Sequence, residues 1–539
     1  MYANANFYRR FFQDKLPEPP CKSTTLAIGP RFFIDAINEK YQLFSLLNDV
    51  FGEEDANLIL DLSMYMLFDR NAIFQHFPDW ARRFHLYSNC TRSDSFISRF
   101  LGEKLTYSKI KLFCYKWAKL YIKDGHVYFC YDSTNVNSQA RGMYIVQKGY
   151  AKDDNTLTQV NTDYVVRQDD GLPLTFMEFP GSIVDIAEAE TMINFIKSIN
   201  DQDDNRFKII FVCDRGYISE KNLLSFYDAG IGFIIMIRAN MVIYKQLIKE
   251  YGQKIKFNFK YHIETTDKFG MTVPVSNFIE GMTLYFHIIY DQDLAKKDYT
   301  TLNSKIKLKS KFLSTCVNRQ KKFTQAEIKE HSDWHDLEVE EAWTVTVKSK
   351  NGDYKEVPAY IIKSFETNTE KINLYLNECG FYILISSEEI TAEEADYRYL
   401  KRDCVEKVFR TLKSSLGMDV IGIASPDNLH GKALIWFVAS ILHAIIFNTT
   451  SELKKIDKKN YTMPSIIRAI SAIECDKNLI SGKYERRYTF DKKQKNIARK
   501  FNLTLNDLDE LIKTIKQKFH IYYTIGLACK KCSKRPMQK

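Results

Sequence analysis

The sequence predicts an α/β protein: a mixed sheet with flanking helices, interrupted by a β-rich insertion, between helical N- and C-terminal regions. Three observations lead to this fold class. From residue 125 to 238, apolar runs of strand length alternate with segments of helical periodicity. From 239 to 377 strand-like runs recur, and the α/β pattern resumes from 378 to 450. Residues 1–124 and 451–539 have the apolar spacing of helices instead.

The first part of the core, residues 125–238, is predicted to contain two strands that are buried on both faces. Residues 127–131 and 208–213 are apolar almost throughout, which is typical of such strands. Asp132 directly follows the first run and Asp214 the second. Because ligands of α/β sheets bind at the carboxyl ends of strands, both carboxylates are candidates for a metal site. Aspartate after a strand is also a common turn residue, so neither one decides the matter alone.

The insertion, residues 239–377, is predicted to be rich in strands. Strand-like runs lie at 254–263, 283–290 and 343–362. Asn351-Gly352 separates two segments of the last run and is a strong signal for the turn of a β-hairpin.

The second part of the core, residues 378–450, is predicted to begin with an apolar strand at 380–386 and to continue in helices. Its longest apolar stretch, 433–447, contains Ser440 and His443 and is too short to cross a bilayer. We therefore expect a buried helix there.

The charge of the chain is unevenly distributed. The net charge is +10, and residues 451–539 alone contain 22 Lys and Arg against 9 Asp and Glu. The first 450 residues are therefore close to neutral. A basic C-terminal region suits a polyanionic partner with salt-dependent binding, although a solvated, solubilising surface would have the same composition.

The cysteines indicate a reducing compartment. The chain has 11, many of them inside apolar strand-like runs, as is usual for buried reduced thiols of cytosolic proteins. Cys529 and Cys532 form one CxxC pair, but no second Cys or His pair lies at zinc-site spacing. The N-terminus lacks the apolar segment of a secretory signal. We expect a cytoplasmic protein without a membrane partner.

Residues 399–413 are the most informative segment. On one α-helix, Tyr399, Arg402, Glu406 and Lys413 would share a stripe about 60° wide, and Arg410 would widen its cationic edge. A second, apolar stripe could face a core; it consists of Val405, Phe409, Leu412 and Leu416. A solvated face with i,i+4 ion pairs could have this pattern. So could a phosphodiester site, because metals take hard oxygen ligands and phosphates take cations and hydroxyl donors.

Three blocks together resemble the signature of DDE transposases of bacterial insertion sequences. They are Asp132-Ser-Thr, Asp214-Arg-Gly-Tyr and Tyr399-x2-Arg402-x3-Glu406-x6-Lys413. The last block is the most specific, since four residue types stand at fixed spacing and both aspartate blocks precede it. The resemblance covers about residues 127–448 and implies a ribonuclease-H-like core, which in this family is frequently interrupted between the second aspartate and the glutamate.

The resemblance implies a metal-dependent reaction on DNA. Asp132, Asp214 and Glu406 would hold two Mg²⁺ ions, for which Mn²⁺ can substitute. Water would nick the ends of the element, at its terminal inverted repeats, and the freed 3′-OH would attack target DNA. The expected partners are double-stranded DNA and a second copy of the chain, because strand transfer joins two ends. The expected location is the bacterial cytoplasm, at the nucleoid.

The same resemblance implies that Tyr399, Arg402 and Lys413 position phosphates near the scissile bond, with Arg410 beside them. Arg215 could contact DNA or pair with a carboxylate. The N-terminal helices, the insertion and the basic C-terminal region all compete as the DNA-reading part.

Trp334 and Trp343, in the insertion, could stack on a base or pack in a core. The alternative function is that of a ribonuclease-H-like, structure-specific DNA endonuclease without strand transfer. A non-catalytic DNA-binding descendant is the third possibility, and the three intact carboxylates argue against it.

Overall fold

The computed structural model describes residues 25–515, except for 70–71, 123–125, 139, 141, 150–157, 184, 201–207, 280, 349–353, 419, 424 and 478–482. The described residues divide into two compact units. The first unit contains those up to Ile210 and those from Lys401 onward, and the second unit is Phe211–Leu400. The predicted fold class, α/β with a mixed sheet and flanking helices, is confirmed.

The first unit begins with a short strand and a group of helices. These elements are β1 (Thr25–Ala27), α1 (Gly29–Tyr41), α2 (Leu43–Phe51), α3 (Glu53–Phe68), α4 (Phe77–Ala81), α5 (Asp94–Arg99) and α6 (Tyr107–Tyr121). Gly52 separates α2 from α3 with a φ of 87°, a conformation that favours glycine. A π-helical turn, Phe100–Lys104, follows α5.

The chain then forms a sheet. Its next elements are β2 (His126–Ser138), β3 (Thr158–Arg167), β4 (Pro173–Pro180), α7 (Asp185–Asn200) and β5 (Lys208–Cys213). The first three of these strands pair as an antiparallel meander in sequence order. The predicted strand 208–213 is present with these bounds, and the chain passes from the first unit to the second within it.

The second unit contains eight strands and six helices among its described residues. The strands are β6 (Gly232–Met236), β7 (His262–Ile263), β8 (Lys268–Ile279), β9 (Met282–Tyr290), β10 (Lys322–Phe323), β11 (His335–Lys348), β12 (Tyr354–Thr367) and β13 (Phe381–Ser386). The helices are α8 (Glu220–Asp228), α9 (Val242–Ile255), α10 (Gln292–Arg319), α11 (Gln325–His331), α12 (Thr369–Glu378) and α13 (Ala392–Leu400).

Two antiparallel sheets organise the second unit. One has the order β6-β13-β9-β8-β7, and the other has the order β10-β12-β11. The predicted hairpin of the insertion is present as β11 and β12, which pair from His335 with Thr367 to Lys348 with Tyr354. Its turn residues Asn351 and Gly352 lie outside the described residues.

The insertion also contains more helix than its sequence pattern predicts. Residues 254–263 are not one strand: α9 continues to Ile255, and a 3-10 turn at Phe259–Tyr261 is capped by Asn258, whose side chain accepts from the Lys260 amide. The run 292–319 is a helix of 28 residues that begins after Asp291, which caps it through Leu294 N. The boundaries 239–377 of the insertion stay a prediction.

The chain completes the first unit after Lys401. The elements are α14 (Asp403–Ser415), β14 (Val420–Ile421), α15 (Pro426–Ile456), α16 (Met463–Ser471), β15 (Glu474–Lys477), β16 (Tyr484–Arg486), α17 (Lys492–Lys500) and α18 (Leu505–Lys513). β14 pairs in parallel with β2, which makes this sheet mixed. β15 pairs with both β1 and β16, so the two ends of the described chain share a small antiparallel sheet.

α15 is the central core helix of the first unit, as predicted for residues 433–447. By length and composition it could cross a membrane, but 78% of its most apolar window is buried inside the protein. It packs against α3, α6 and β4, and Trp436 donates from Nε1 to the Leu416 carbonyl at 2.9 Å. Buried core helices can have the same length and apolar composition as membrane-spanning ones.

Candidate active site

Asp132 lies inside β2, not after its end as the apolar run suggested. The strand continues to Ser138, and Asp132 is opposite Tyr164 of β3. The polar residues beyond Asp132 remain in the sheet because they find partners across it; Asn135, for example, donates to the Asn161 side chain at 2.7 Å. Asp132 is therefore held by a rigid ladder on a largely buried side of the first unit.

The predicted helix 399–413 is two helices. α13 ends at Leu400 and α14 begins at Asp403, with Lys401 and Arg402 forming a turn between them. This turn contains neither Gly nor Pro, so no residue type signals it. Tyr399 thus belongs to α13 and the second unit, whereas the rest of the motif lies on α14 or at its first turn.

Packing of α14 fixes the position of Glu406. The predicted apolar stripe is buried: Val405, Phe409 and Leu412 are at most 7% exposed, and α14 packs on β2, β3 and α15. Phe409 meets Tyr164 edge to face with ring centroids 5.7 Å apart. Glu406 is exposed and lies about 90° around the helix from the centre of this stripe.

Arg402 joins Asp132 to Glu406. Its Nη1 lies 3.5 Å from Asp132 Oδ2, and its Nη2 donates to Glu406 Oε1 at 2.8 Å. The side chains of Arg402 and Asp132 are each 14% exposed, and that of Glu406 is 46% exposed. Two carboxylates that are distant in the sequence therefore converge on one cation.

The other two cations of the α14 block differ in exposure. Arg410 is exposed, while Lys413 is half-buried in the last turn of the helix. Both residues lie on the same helix as Glu406.

Two thiols lie beside these carboxylates. Cys130 precedes Asp132 by two residues and Cys404 precedes Glu406 by two, and a hydrogen bond between the thiols raises the pKa of Cys404 well above its usual range. Burial raises this pKa further. Cys404 is therefore a protonated thiol at neutral pH, and the metal ligands available here are the carboxylate oxygens.

Asp214 belongs to the second unit and follows β5 directly, as predicted. It caps the 3-10 turn Arg215–Tyr217 by accepting from the Arg215 amide at 2.7 Å. The Tyr399 hydroxyl donates to the same oxygen, Oδ1, at 3.2 Å. The structure thus joins the phenol of Tyr399 to Asp214. A single helix over 399–413 would have placed this phenol beside Glu406 instead.

Arg238 is a cation near Asp214 that the sequence motif did not identify. Its guanidinium donates to the carbonyls of Arg215 and Gly216 at 3.3 and 3.4 Å. An open cleft of about 430 Å³ is lined by Asp214, Arg215 and Arg238, together with Gly216, Ala239 and Asn240. Both arginines are exposed. The available signal was the position of Arg238 just after β6, in the same setting as Asp214 after β5.

A buried ion pair anchors α13 and so positions Tyr399. Lys268 of β8 donates to both carboxylate oxygens of Asp396 at 3.2 and 3.1 Å, and Asp396 is fully buried. The hydroxyls of Tyr382 and Thr266 donate to the same carboxylate at 2.5 and 2.9 Å. Asp396 precedes Tyr399 by about one helical turn, so the network fixes the end of the helix that carries the phenol.

The remaining predicted residues lie apart from these groups. Trp334 packs edge to face on Tyr375, while Trp343 is 89% exposed. Cys529 and Cys532 are outside the described residues. Among the residues that are described, no group of three His, Cys, Asp or Glu side chains could hold a metal ion. The two-metal site therefore stays a prediction.

Comparison with known proteins identifies a protein family whose model matches this chain. The model of a family described as "Transposase DDE domain" matches residues 124–442. A solved structure of a piggyBac transposase synaptic complex with hairpin DNA is similar with a TM-score of 0.37 at 10% identity, over 90% of this chain and 79% of that chain. Comparison with curated proteins gives no match. The family match covers more than half of the chain and includes β2, β5 and α14.

Proposed function

Because the chain belongs to the family of transposases with a DDE domain, we propose that it cleaves DNA at the ends of its own insertion sequence and transfers the freed 3′-OH into target DNA. Its catalytic carboxylates would be Asp132, Asp214 and Glu406. Our proposal of the bacterial insertion-sequence subgroup is based on the signature spacing of residues 399–413. The same membership motivates a cytoplasmic, nucleoid-associated location.

One observation carries the proposal: Asp132 and Glu406 converge on the guanidinium of Arg402. A buried carboxylate is costly without a neutralising charge, and two carboxylates that share one cation leave a net negative charge. The second carboxylate near Asp132 therefore needs a reason other than stability. A site that binds cations and phosphates supplies that reason.

The donor set fits divalent metal ions. Mg²⁺ takes hard oxygen ligands, and carboxylates are the groups that the three positions offer. By the family signature, Asp132, Asp214 and Glu406 would hold the ions, with Mn²⁺ as a substitute. When bound, such ions lower the pKa of a nucleophilic water and stabilise the leaving 3′ oxygen.

The neighbouring cations and the phenol would hold the DNA. Arg402 can bind a phosphate through two parallel N–H groups, and Lys413 and Arg410 extend this charge along α14. In the second unit, Tyr399 would orient Asp214 through the hydrogen bond at 3.2 Å.

Arg215 and Arg238 would take a phosphate in the cleft beside Asp214. Both arginines line that cleft and are exposed, so a backbone phosphate could reach them from solvent.

We also propose that two copies act together on double-stranded DNA, because joining two element ends to one target requires two sites. Cross-linking of the purified protein on a duplex that carries an element end should give a dimer, and the same treatment without DNA should give less of it.

The decisive experiment incubates purified protein with duplexes carrying the terminal inverted repeats that flank the coding sequence, a target plasmid and Mg²⁺. Wild type should nick the ends and join pre-cleaved ends to the plasmid. Glu406→Gln should do neither, whereas Glu53→Gln, the same change at an exposed glutamate on α3, should behave as wild type.

Two outcomes separate the alternatives. Equal nicking by wild type and Glu406→Gln would contradict the assignment of Glu406. Metal-dependent nicking by wild type without joining of pre-cleaved ends would favour the structure-specific endonuclease instead.

A further inference from the structure

α10 carries an unusual amount of unpaired positive charge. It contains seven Lys and Arg against two Asp, a net charge of +5 on 28 residues. Six of the cations are exposed. All of these except Lys305 lie on one side of the helix, and we call them the cationic face: Lys296, Lys297, Lys307, Lys311 and Arg319. Within the part of the chain that the structure describes, their side chains form no salt bridge and no hydrogen bond.

The cationic face points away from the core of its own unit. At 100° per residue, the five cations lie within about 140° of the helix circumference, and the buried residues of α10 lie roughly opposite. Those buried residues are Leu302, Leu313 and Cys316. Leu313 and Cys316 pack in a cluster with Phe323 and Ile362. Folding of this part of the second unit therefore does not depend on the five cations.

The arrangement of these cations weakens the helix on its own. Lys307 and Lys311 are four residues apart, where like charges cost a few tenths of a kcal/mol. The two acidic residues lie near the N-terminus of the helix, and Asp298 is engaged by the Gly380 amide at 3.0 Å. By contrast, α14 pairs its exposed Lys407 with Asp403 at 2.7 Å. A surface selected only for solubility would be expected to alternate signs as α14 does.

Spacing along the axis indicates the shape of the partner. Lys296 and Arg319 are 23 residues apart, which is about 35 Å along an α-helix. This length is close to one helical turn of duplex DNA, about 34 Å. A partner with regularly spaced negative charges over that length would relieve the repulsion between the lysines.

We propose that the cationic face of α10 is a sequence-independent binding surface for the phosphate backbone of double-stranded DNA. The inference rests on the proposed function, because it assigns the duplex that the transposase handles to a surface of the second unit outside the candidate active site. The contacts are ionic, made by Lys and Arg side chains to phosphate oxygens, so they bind any duplex sequence.

The test measures binding of the full-length protein to a 30-base-pair duplex of arbitrary sequence by fluorescence anisotropy, between 50 and 200 mM salt. The variant is Lys296→Gln/Lys307→Gln/Lys311→Gln. Its log–log salt dependence should be less steep by up to about 2.7, since each lost phosphate contact removes about 0.9. Affinity at 0.1 M salt should fall at least about ten-fold.

The matched control is Lys245→Gln/Lys249→Gln/Lys254→Gln, which removes the same charge from exposed positions of α9. The slope of its log–log salt dependence should stay within about 0.9 of the wild-type slope, which corresponds to one phosphate contact. Equal losses in both triple variants would overturn the proposal, since net charge alone would then explain the binding. Tighter binding of polyglutamate than of the duplex would overturn it as well.

Measuring both binding and cleavage of the same proteins keeps the two proposals distinguishable. If wild type binds the duplex and the α10 variant loses binding while the α9 control does not, the surface stands whether or not the protein cleaves element ends. If the α10 variant binds normally while wild type cleaves and joins ends, the proposed function stands and the surface does not.

Discussion

The two ion pairs of Arg402 allow burial to be weighed against distance. The contact with Glu406 is shorter, 2.8 Å against 3.5 Å for Asp132, but Glu406 is 46% exposed and Asp132 only 14%. Coulomb energy scales with the inverse of distance and of dielectric constant. Distance favours Glu406 by a factor of only about 1.25, while the effective dielectric constant can differ by about four between a half-buried and a hydrated pair.

The gross attractions follow from these values. At an effective dielectric constant of about 20, the Arg402–Asp132 pair gains about 5 kcal/mol; in water-like surroundings the Arg402–Glu406 pair gains about 1.5 kcal/mol. Desolvation and side-chain entropy reduce both. We expect net coupling energies of about 2 kcal/mol for Asp132 and below about 1 kcal/mol for Glu406.

Double-mutant cycles measure these couplings. One cycle combines Arg402→Gln with Asp132→Asn, and the other combines it with Glu406→Gln, each followed by urea unfolding with tryptophan fluorescence in the presence of EDTA. The exposed i,i+4 pair of Asp403 and Lys407 is the reference, with an expected coupling of about 0.3–0.5 kcal/mol. A larger coupling for Glu406 than for Asp132 would refute the reasoning, because distance would then outweigh burial.

Three further perturbations test the packing that supports the site. Lys268→Met leaves the fully buried Asp396 without its cation and should lower the free energy of unfolding by about 3–5 kcal/mol, measured by urea titration; Asp396→Asn in the same background should recover part of it. Burial raises the pKa of Asp61 from 3.8 to about 6, so the folded protein favours the protonated acid. The stability that this proton contributes is complete below about pH 4 and is lost, by about 3 kcal/mol, as pH rises to about 6; thermal melts of wild type and Asp61→Asn across this window should differ in slope, and parallel curves would contradict the assignment. Gly431→Ala places a Cβ 2.4 Å from the Leu101 carbonyl oxygen and should destabilise by about 2 kcal/mol, seen as a lower melting temperature, whereas Gly281→Ala, where nothing lies within 4 Å, isolates the cost of its positive φ.

The sequence predicted the elements whose pattern is set by burial. The apolar run before Asp214 is β5 with the predicted bounds, and the stripe of Val405, Phe409 and Leu412 is buried as expected. Both are cases in which local side-chain period and tertiary environment agree.

The sequence-based prediction failed where contacts with residues distant in the sequence determine the structure. β2 continues beyond Asp132 because polar residues bond across to β3, which a search for apolar runs does not detect. The turn at Lys401 and Arg402 contains no breaking residue. Arg238 is brought to the cleft beside Asp214 by its bonds to the carbonyls of Arg215 and Gly216, which the sequence does not reveal.

α10 was missed for another reason. Its buried positions, Leu302, Leu313 and Cys316, are too few to give a helical period over 28 residues. The informative signals were Asp291 as a cap and the absence of Gly and Pro up to Arg319.

The discontinuity of the first unit has a consequence for how the protein is made. α3 emerges from the ribosome early, but its main packing partner α15 follows only after the 190 residues of Phe211–Leu400 have been synthesised. At about 5–20 residues per second, the N-terminal helices expose their apolar faces for roughly ten seconds or more. A product truncated between Leu400 and Pro426 would contain a complete second unit and an unfinished first one. Such fragments are expected to be substrates for chaperones and proteases, so that activity is confined to copies translated to near their full length.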